Sequence, residues 1–399
     1  MAALSDPKQL AGQLSAINPD SFGDDESARL ALLAEAQKLV RRLEDPFEAI
    51  MRMTYGEPTL ICALLIADRM RLFSLLGPES SPPQNAASLA AKIGAEHDLV
   101  TRVLRHLAAG GVVAELPGQN YKTTRLSAML ADSDNCVGFR EVANRYMPIF
   151  AAAPAWLEEH NYQCPRDAAN AVFQKALGTP GQTFWDWLQM PEHRHASDEF
   201  GRLMRLGLQE SKTWLDVRDL TSLVQGWDGQ SPLLVDVGGS TGKDALDFKT
   251  RFSDNNATIV VQDLPPTIEL AKSRTNVPNG IDFQPHDFFK AQPVKASRIY
   301  FMGSILHDWP DADARKILAN VAAAMKKDYS ILLLSENVLP EYQCSLRMSA
   351  IDICMLTELG AAERTDVQWT ELLAEAGLKV TTIDSTPGFG RSLIQAELS

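Results

Sequence analysis

The sequence has little cysteine, no long uninterrupted apolar stretch and no leader-like start. Its 399 residues include five scattered cysteines, none of them in a C-x-x-C pair. An odd, scattered set argues against a disulfide framework and a structural zinc site, so we expect reduced thiols. No apolar run reaches the ~18 residues of a membrane span, and the N-terminus lacks the basic and apolar regions of a signal peptide. These absences predict a cytoplasmic protein.

Positive charge is also scarce. The chain carries 38 Lys and Arg against 51 Asp and Glu, a formal net charge of -13. Nucleic acids and anionic membrane surfaces have the same sign, so this balance disfavours both as nonspecific partners. A neutral or weakly acidic small molecule is compatible with it. We therefore expect a small-molecule partner, no nucleic acid and no membrane.

Hydrophobic residues make up 45% of the chain, and its length exceeds one ordinary core, so two domains are expected. From residue 232 onward strand and helix patterns alternate, which predicts a parallel sheet with helices on both faces. The predicted strands cover residues 233–237, 258–262, 281–284, 298–302 and 331–335. Strands 378–384 and 392–398 follow helix 367–376, and because no helix separates them they must pair antiparallel.

The most informative segment is residues 233–244, a buried apolar strand that runs into a glycine-rich turn. Only glycine tolerates positive φ and close passage of the backbone past a ligand. Gly238, Gly239 and Gly242 therefore predict a strand-to-helix turn that holds a ligand. For the turn taken alone, the alternative that its glycines only reverse the chain remains open.

The charge and spacing of this turn indicate which ligand it holds. A dinucleotide site needs G-x-G-x-x-G, and this pattern fails because Ser240 and Lys243 occupy glycine positions. Asp236 would repel an anionic ligand. A sulfonium nucleoside such as S-adenosylmethionine has no phosphate and is positively charged, so it suits the turn better. Asp263, about 20 residues further on, ends the next strand, where a ribose diol is usually bound.

Residues 299–310 form an apolar strand that ends in a histidine, an acid and a helix-opening proline. Five further motifs accompany its Leu-His-Asp-Trp-Pro-Asp, namely Asp-Val-Gly-Gly-Ser-Thr-Gly, Gln-Asp-Leu-Pro, His-Asp-Phe-Phe, Leu-Leu-Leu-Ser-Glu and Glu-Arg-Thr. In this order they resemble the S-adenosylmethionine-dependent small-molecule O-methyltransferases of plants and fungi, from about residue 55 to the end. The chain looks most like the fungal branch that modifies aromatic polyketides and related secondary metabolites.

The resemblance implies an α/β fold, with a Rossmann-like class I methyltransferase sheet that is mostly parallel and has a C-terminal reversed strand pair. An α-helical winged-helix dimerisation domain, residues 1–135, is expected to precede it. The pattern of the chain agrees, because helices 86–93 and 98–109 and a hairpin after Gly110 predict a winged-helix unit. We expect the helix predicted over residues 24–44 to be an interaction arm. DNA recognition is an alternative for this unit, but acidic residues lie between its arginines and lysines.

Residues 136–230 are predicted to be helical and are rich in aromatic and sulfur side chains, most of which we expect in the core. The resemblance implies that this connector lines the substrate pocket of a catalytic domain, residues 231–399. The candidate substrate-binding residues are Tyr146, Met147, Phe150, Phe200, Met204 and Asp308.

An aromatic hydroxyl has a pKa of about 10, so methyl transfer at neutral pH needs a base beside it. His307 follows a strand at its carboxyl end, the edge on which ligands bind in open α/β sheets, and is the predicted general base. A carboxylate on its far nitrogen would orient the ring and stabilise the imidazolium. Glu336 and Glu363 are both candidates for this role. No metal is expected, because the acids lie far apart without ligand-like clustering.

The resemblance assigns three further residues to the cofactor. Asp287 matches the position that meets the adenine edge, Phe288 packs nearby, and Leu264 follows the acid predicted to bind the ribose. The sequence also departs from the family, because Ser240 replaces a usual glycine and Gly303 stands where plant members commonly carry lysine.

Those departures keep a second enzyme class open. Some fungal proteins of this fold catalyse dehydration or pericyclic ring formation, with S-adenosylmethionine as a non-reacting cofactor. The histidine and both glutamates are retained here, which favours methyl transfer. A third possibility, a noncatalytic scaffold or DNA-binding regulator, would require this constellation to be accidental.

Overall fold

The computed structural model describes residues 6–23, 25–207, 213–252, 257–273, 279–385 and 391–399. The chain divides into two compact units, Met1–Leu60 and Ile61–Ser399. These units do not coincide with the three predicted domains, whose boundaries stay predictions.

The first unit consists of helices, two of which begin at a side-chain cap. Its α-helices are Pro7–Ser15, Glu26–Leu43 and Pro46–Met51, and a π-helical turn, Arg52–Gly56, follows the third. Asp25 caps Glu26–Leu43 by accepting from the Ala28 amide, and Asp45 forms a capping box with Glu48. The predicted helix over residues 24–44 is confirmed.

Among the described residues, one helical segment, Pro46–Arg69, has the length and apolar composition of a membrane span, with 11% of its apolar window buried. Exposed apolar side chains of this segment include Phe47, Ile50, Met53 and Tyr55. The expectation that the chain has no membrane partner therefore stays a prediction. An interface with a second copy needs the same kind of surface.

The winged-helix unit folds as predicted. Its α-helices are Glu57–Arg69, Leu72–Leu76, Ala86–Ile93, His97–Ala109 and Arg125–Met129. A small antiparallel sheet adds β1 (Gln84–Asn85), β2 (Val113–Leu116) and β3 (Asn120–Thr123), in the order β1-β3-β2. The helical path over residues 57–76 is interrupted at Arg71, which adopts a left-handed conformation at φ 54°.

Short helices connect this unit to the large sheet. They are Val137–Glu141, Met147–Glu159, Val172–Leu177, Phe184–Gln189, Arg194–Gly207 and Thr221–Gln225. A π-helical turn, Val142–Tyr146, joins the first two of them. Apolar side chains of this region pack with those of a later π-helical turn, Met355–Leu359.

The large sheet contains seven described strands in the order β11-β12-β8-β7-β4-β5-β6. They are β4 (Leu234–Val237), β5 (Ile259–Asp263), β6 (Ile281–Pro285), β7 (Ile299–Gly303), β8 (Ile331–Glu336), β11 (Leu378–Ser385) and β12 (Ser392–Leu398). All neighbours are parallel except β12, which runs antiparallel to both β8 and β11. The predicted fold class and the reversed strand pair are confirmed.

Two hydrophobic cores cover the faces of this sheet, because alternate residues of each strand point to opposite sides. Val235 and Tyr300 belong to one core, whereas Leu234 and Phe301 belong to the other. The flanking α-helices are Lys243–Arg251, Pro265–Lys272, Asp311–Ala322 and Asp366–Glu375, whereas the helix Leu346–Cys354 packs on the connector through Ile351 and Cys354. Burial on both faces explains the near-continuous apolar runs of β4, β7 and β8.

One feature of the fold was not predicted from the sequence. The sequence did not indicate the short parallel pair of β9 (Val338–Leu339) and β10 (Arg364–Thr365), which holds the segments after Glu336 and Glu363 side by side. Residues 386–390, between the last two predicted strands, lie outside the described residues.

Candidate functional site

The glycine turn lies at the carboxyl end of β4, where its backbone is left-handed at Gly238 (φ 76°), Ser240 (φ 51°) and Gly242 (φ 84°). The Gly238 and Gly239 amides both donate to the Gln262 carbonyl, at 2.8 and 2.9 Å, which anchors the turn to β5. A Cβ on Gly239 would lie 2.4 Å from the Asp236 carboxyl group, so a side chain has no room there. The turn therefore needs bare backbone, as a ligand cradle does.

Three acids surround this turn. Asp236 is 1% exposed, and its Oδ2 has no hydrogen-bond partner among the described residues. Burial, together with Asp244 and Asp263, raises the pKa of Asp236 well above its ordinary value. A positively charged ligand at the turn would offset this accumulation of negative charge. The residues present thus fit a cationic nucleoside.

Asp263 lies at the lip of the turn. Its Oδ2 accepts from the Ser240 amide at 2.9 Å, and its Oδ1 accepts from the Leu264 amide at 2.7 Å. These two bonds orient the carboxylate and join both predicted cofactor segments. Ser240, a departure from the family pattern, thus contributes to this anchor through its backbone.

The next loop brings an aromatic ring to the same place. Phe288 Cε1 lies 3.6 Å from where a Cβ of Gly238 would stand, and its ring meets Trp309 edge-on at 5.9 Å between centroids. Asp287 accepts from the Phe289 amide at 3.0 Å, which fixes the bend of this loop. Phe288 therefore connects the glycine turn with the segment that carries His307.

His307 lies in a 3₁₀ turn, Leu306–Asp308, after β7, on the same sheet edge as the glycine turn. Ile305, two residues earlier, contacts the turn itself, because a Cβ on Gly238 would lie 2.6 Å from Ile305 Cδ1. The structure thus brings the predicted base segment and the predicted cofactor turn together.

Both imidazole nitrogens of His307 face carboxylates. Nδ1 lies 2.8 Å from Glu363 Oε1, and Nε2 lies 3.3 Å from Asp308 Oδ1. Burial lowers the pKa of His307, but Asp308, Glu363 and Glu336 outweigh this effect and raise it to about 10. Nδ1–H donates to Glu363, and Nε2 faces Asp308.

The two candidate glutamates have different positions. Glu336 does not hydrogen-bond to the imidazole; its Oε1 accepts from the Ile305 and Leu306 amides at 3.0 and 2.8 Å. Glu363 is the acid on the ring, and its Oε1 also accepts from the Asn337 side chain at 2.9 Å. Glu336 holds the backbone of the histidine turn, whereas Glu363 orients the ring.

Arg364 hydrogen-bonds to the backbone of the turn that carries His307. The sequence did not predict a role for this residue. Its guanidinium donates to the Leu306 and Trp309 carbonyls, each at 2.9 Å, and to Asp311 Oδ1 at 2.7 and 3.0 Å. It is 3% exposed and stacks over the Trp369 ring at 5.1 Å. The only sequence signal for this residue was its place in the Glu-Arg-Thr motif.

An aromatic cluster extends from the histidine turn into the connector. Trp309 stacks on Trp185 at 6.3 Å, and Trp185 meets Phe200 at 5.7 Å. The buried Arg145 guanidinium lies 5.7 Å from the Phe200 ring and 4.3 Å from the Tyr146 ring. A flat, apolar ligand with aromatic rings fits such a surface.

Only part of the predicted substrate set is in this cluster. Tyr146 stacks on Phe150 at 5.7 Å, and Phe200 also lies near the Arg145 guanidinium. Met147 and Met204 are each 46% exposed, so their predicted contacts depend on a ligand or partner that reaches the surface. All of these assignments stay predictions.

Comparison with known proteins identifies the family. A model described as an O-methyltransferase domain matches residues 158–379, and one described as an O-methyltransferase dimerisation domain matches residues 59–133. The chain belongs to the O-methyltransferase family. S-adenosylmethionine is the cofactor of this family, in agreement with the charge and shape of the glycine turn.

The methyltransferase has full-length relatives. It is 32% identical to O-methyltransferase mfmE of Annulohypoxylon moriforme, over 99% of this chain and 96% of the relative. A solved structure of LepI in complex with SAM matches with a TM-score of 0.89 and 28% identity, covering 99% of this chain and all of that one. A structure described as a pericyclic reaction enzyme matches with a TM-score of 0.88 and 28% identity, over 98% of this chain and 100% of that one.

Proposed function

We propose that this enzyme transfers a methyl group from S-adenosylmethionine to a phenolic or enolic hydroxyl of a small aromatic, polyketide-type secondary metabolite. The observation that carries the proposal is the position of His307. Its ring is oriented by Glu363 at 2.8 Å and lies on the sheet edge that holds the glycine turn. A base, its orienting acid and a cofactor cradle are the parts that hydroxyl methylation needs.

The cofactor supplies an electrophilic methyl group. The residues proposed to hold it share the carboxyl edge of the sheet and are Asp236, Gly238, Gly239, Gly242, Asp263, Leu264, Asp287 and Phe288. The acids bind the cofactor and orient it, and the glycine backbone of the turn allows the cofactor to approach the chain closely. Catalysis then consists mainly of holding two reacting groups in line.

His307 receives the hydroxyl proton at Nε2 while Nδ1–H stays hydrogen-bonded to Glu363. Before this, the substrate hydroxyl must replace Asp308 as the partner of Nε2, so Asp308 lies where the substrate binds. Positive charge held at the glycine turn would lower the pKa of His307 and oppose the acids that raise it. The neutral imidazole would then become accessible with both ligands bound.

We propose a homodimer formed through the N-terminal domain, residues 1–135, with the connector 136–230 and the catalytic domain 231–399 following. The match to a dimerisation domain and the exposed apolar side chains of Pro46–Arg69 support it. The proposed location is the cytoplasm, with no nucleic acid or membrane partner. Light scattering of the purified protein, and co-sedimentation with anionic vesicles, test these points.

The decisive experiment uses labelled S-adenosylmethionine and a panel of polyketide phenols. We expect S-adenosylhomocysteine to form together with a methylated product. His307→Ala should keep S-adenosylhomocysteine affinity and lose at least about a hundredfold in turnover. Unchanged methyl transfer by this variant would remove the assignment of the base.

A pericyclic or dehydration reaction is the second candidate. Two observations favour it, namely the likeness to a pericyclic reaction enzyme and the high pKa of His307, which makes its ring a cationic hydrogen-bond donor at neutral pH. Such an enzyme would convert its substrate without forming S-adenosylhomocysteine. Its rate would also fall as His307 loses its proton, whereas the rate of methyl transfer would rise.

A further inference from the structure

The indole N–H of Trp185 is a buried donor that the proposed mechanism does not use. Trp185 lies in the helix Phe184–Gln189, and its Nε1 is shielded from solvent without a hydrogen-bond partner among the described residues. Buried donors in native proteins nearly always have a partner, because an unpaired one is destabilising. A ligand atom that accepts a hydrogen bond would satisfy this group.

The surroundings of Trp185 connect it to the reacting centre. Its ring stacks on Trp309 at 6.3 Å with an interplanar angle of 28°. Trp309 is two residues from His307, and Arg364 holds the Leu306 and Trp309 carbonyls on either side of that histidine. The Trp185 ring therefore belongs to the aromatic cluster that begins beside His307.

The other rings around Trp185 indicate a flat ligand. Phe184 and Phe200 meet it edge-on at 5.1 and 5.7 Å. The charge of nearby Arg145 is neutralised by ion pairs with Glu141 and Glu358. The indole N–H is thus a neutral donor set among aromatic faces, a combination that suits a carbonyl on an aromatic ring system.

Two of the other tryptophans show the usual arrangement, whereas Trp214 Nε1, inside one core of the large sheet, is also buried without a hydrogen-bond partner among the described residues. Trp369 Nε1 donates to the Asn337 carbonyl at 3.2 Å, and Trp227 Nε1 donates to the Ser231 carbonyl at 2.6 Å. Trp187, on the same helix as Trp185, stacks on His193 at 4.1 Å. Among the described residues its ring contacts are Phe173, Phe184 and His193 and do not include Trp309, which makes Trp187 a matched control on the same helix.

We propose that Trp185 Nε1 donates a hydrogen bond to a carbonyl oxygen of the substrate, so that the enzyme selects phenols whose ring system carries a carbonyl group. The inference rests on the proposed function for the identity of the pocket. An indole N–H donates and cannot accept, so the ligand atom must be an acceptor. A pocket built around such a donor discriminates against analogues that lack the acceptor.

The test compares 3-hydroxyxanthone with 3-hydroxyxanthene, which differ by a carbonyl in place of a methylene. Their binding is measured by calorimetry with S-adenosylhomocysteine present, so that no turnover is needed. Trp185→Phe keeps an aromatic ring and removes the donor. We expect it to weaken xanthone binding about tenfold and to leave xanthene binding unchanged within about twofold. Trp187→Phe should change neither affinity.

Three outcomes would overturn the inference. They are equal weakening of both ligands by Trp185→Phe, no weakening of either, and binding of neither ligand by the unmodified protein. Melting curves of the two variants separate a loss of fold from a loss of the donor. If the unmodified protein binds xanthone selectively but forms no S-adenosylhomocysteine, the proposed methyl transfer fails while the role of Trp185 stands.

Discussion

The Nδ1 atom of His307 lies 2.8 Å from Oε1 of Glu363, and the carboxylate is fully shielded from solvent. The same oxygen accepts from Asn337 at 2.9 Å, and the Glu363 amide donates to Asp352 at 2.9 Å. The acid is thus fixed through its side chain and its backbone. One residue controls the tautomer, the orientation and part of the charge of the imidazole.

Glu363→Gln keeps the size of this side chain but removes its charge. Burial lowers the pKa of His307, and Asp308, Glu363 and Glu336 together raise it to about 10. Losing one carboxylate moves this pKa down, so the acid limb of the pH–rate profile should shift to lower pH. We expect the plateau kcat to fall about a hundredfold, because the ring is no longer held in its tautomer. A shift of the acid limb to higher pH would contradict the assignment of Glu363 as the carboxylate that raises the pKa of His307.

Asp308→Asn alters the partner of the other nitrogen. Burial raises the pKa of Asp308, and Glu336 and Glu363 raise it further. His307 lowers this pKa, and the net value is about 7. Without this negative charge the pKa of His307 falls, so the acid limb should again move to lower pH. The plateau kcat should stay close to that of the unmodified enzyme, since the Glu363 contact remains. KM should rise, because we propose that the substrate hydroxyl binds beside Asp308.

Comparison of these two variants in the same buffers gives the control for both. A plateau loss in Asp308→Asn as large as that in Glu363→Gln would show that Asp308 acts in the chemistry. The division into an orienting acid and a substrate-facing acid would then be wrong.

The strands of the sheet were predictable from the sequence, because a strand that is buried on both faces consists of a nearly continuous apolar run. Residues 331–335 were predicted and Ile331–Glu336 is observed, while residues 392–398 match Ser392–Leu398 in full. Glycines follow the carboxyl end of β4 and an acid ends β5, and these residues allowed the position of the glycine turn to be predicted. The winged-helix unit followed in the same way from helix periodicity and turn residues.

Side-chain contacts between elements were not predictable. Both Glu336 and Glu363 were predicted to lie beside His307 at the same edge of the sheet. Which of the two contacts the imidazole depends on the backbone path of the turn that carries His307, and the sequence does not show this path. Helix periodicity likewise does not show that Met147 and Met204 are half exposed while Arg145 is buried. The π-helical turn Val142–Tyr146 adds a residue to a helical turn and rotates the positions after it, without a sequence signal.

Asp236 should make the cofactor-free protein sensitive to pH. Burial, Asp244 and Asp263 raise the pKa of Asp236 well above its ordinary value. The folded state then keeps a proton that the unfolded state has released, so stability falls as pH rises from the ordinary pKa through the raised one. Asp236→Asn removes this loss. We expect a melting temperature a few degrees higher, with a larger gain at about pH 8 than at about pH 5.

The same change should weaken binding of S-adenosylmethionine, because negative charge at the turn is lost. Thermal melts with and without cofactor separate the two effects. Asp282→Asn, on the exposed side of β6, is the matched control and should change neither quantity. A destabilised Asp236→Asn protein would show that the buried carboxyl has a partner that stabilises it.

Arg364→Lys keeps the positive charge but cannot reproduce the planar set of donors. The guanidinium joins the Leu306 and Trp309 carbonyls to Asp311, and a lysine ammonium reaches only part of this set. We expect the free energy of unfolding to fall by about 1–3 kcal/mol. We also expect kcat to fall about tenfold, because the turn that carries His307 is less firmly held.

Arg315→Lys gives the control, since Arg315 pairs with Glu375 on the surface with 43% of its side chain exposed. An exposed pair contributes little, so this variant should stay within about 0.5 kcal/mol of the unmodified protein and keep its kcat. Denaturant titrations and initial rates on both variants separate the two effects of Arg364. A stability loss without a loss of kcat would mean that Arg364 only supports the fold. A loss of kcat at unchanged cofactor affinity would place its effect on the orientation of the base.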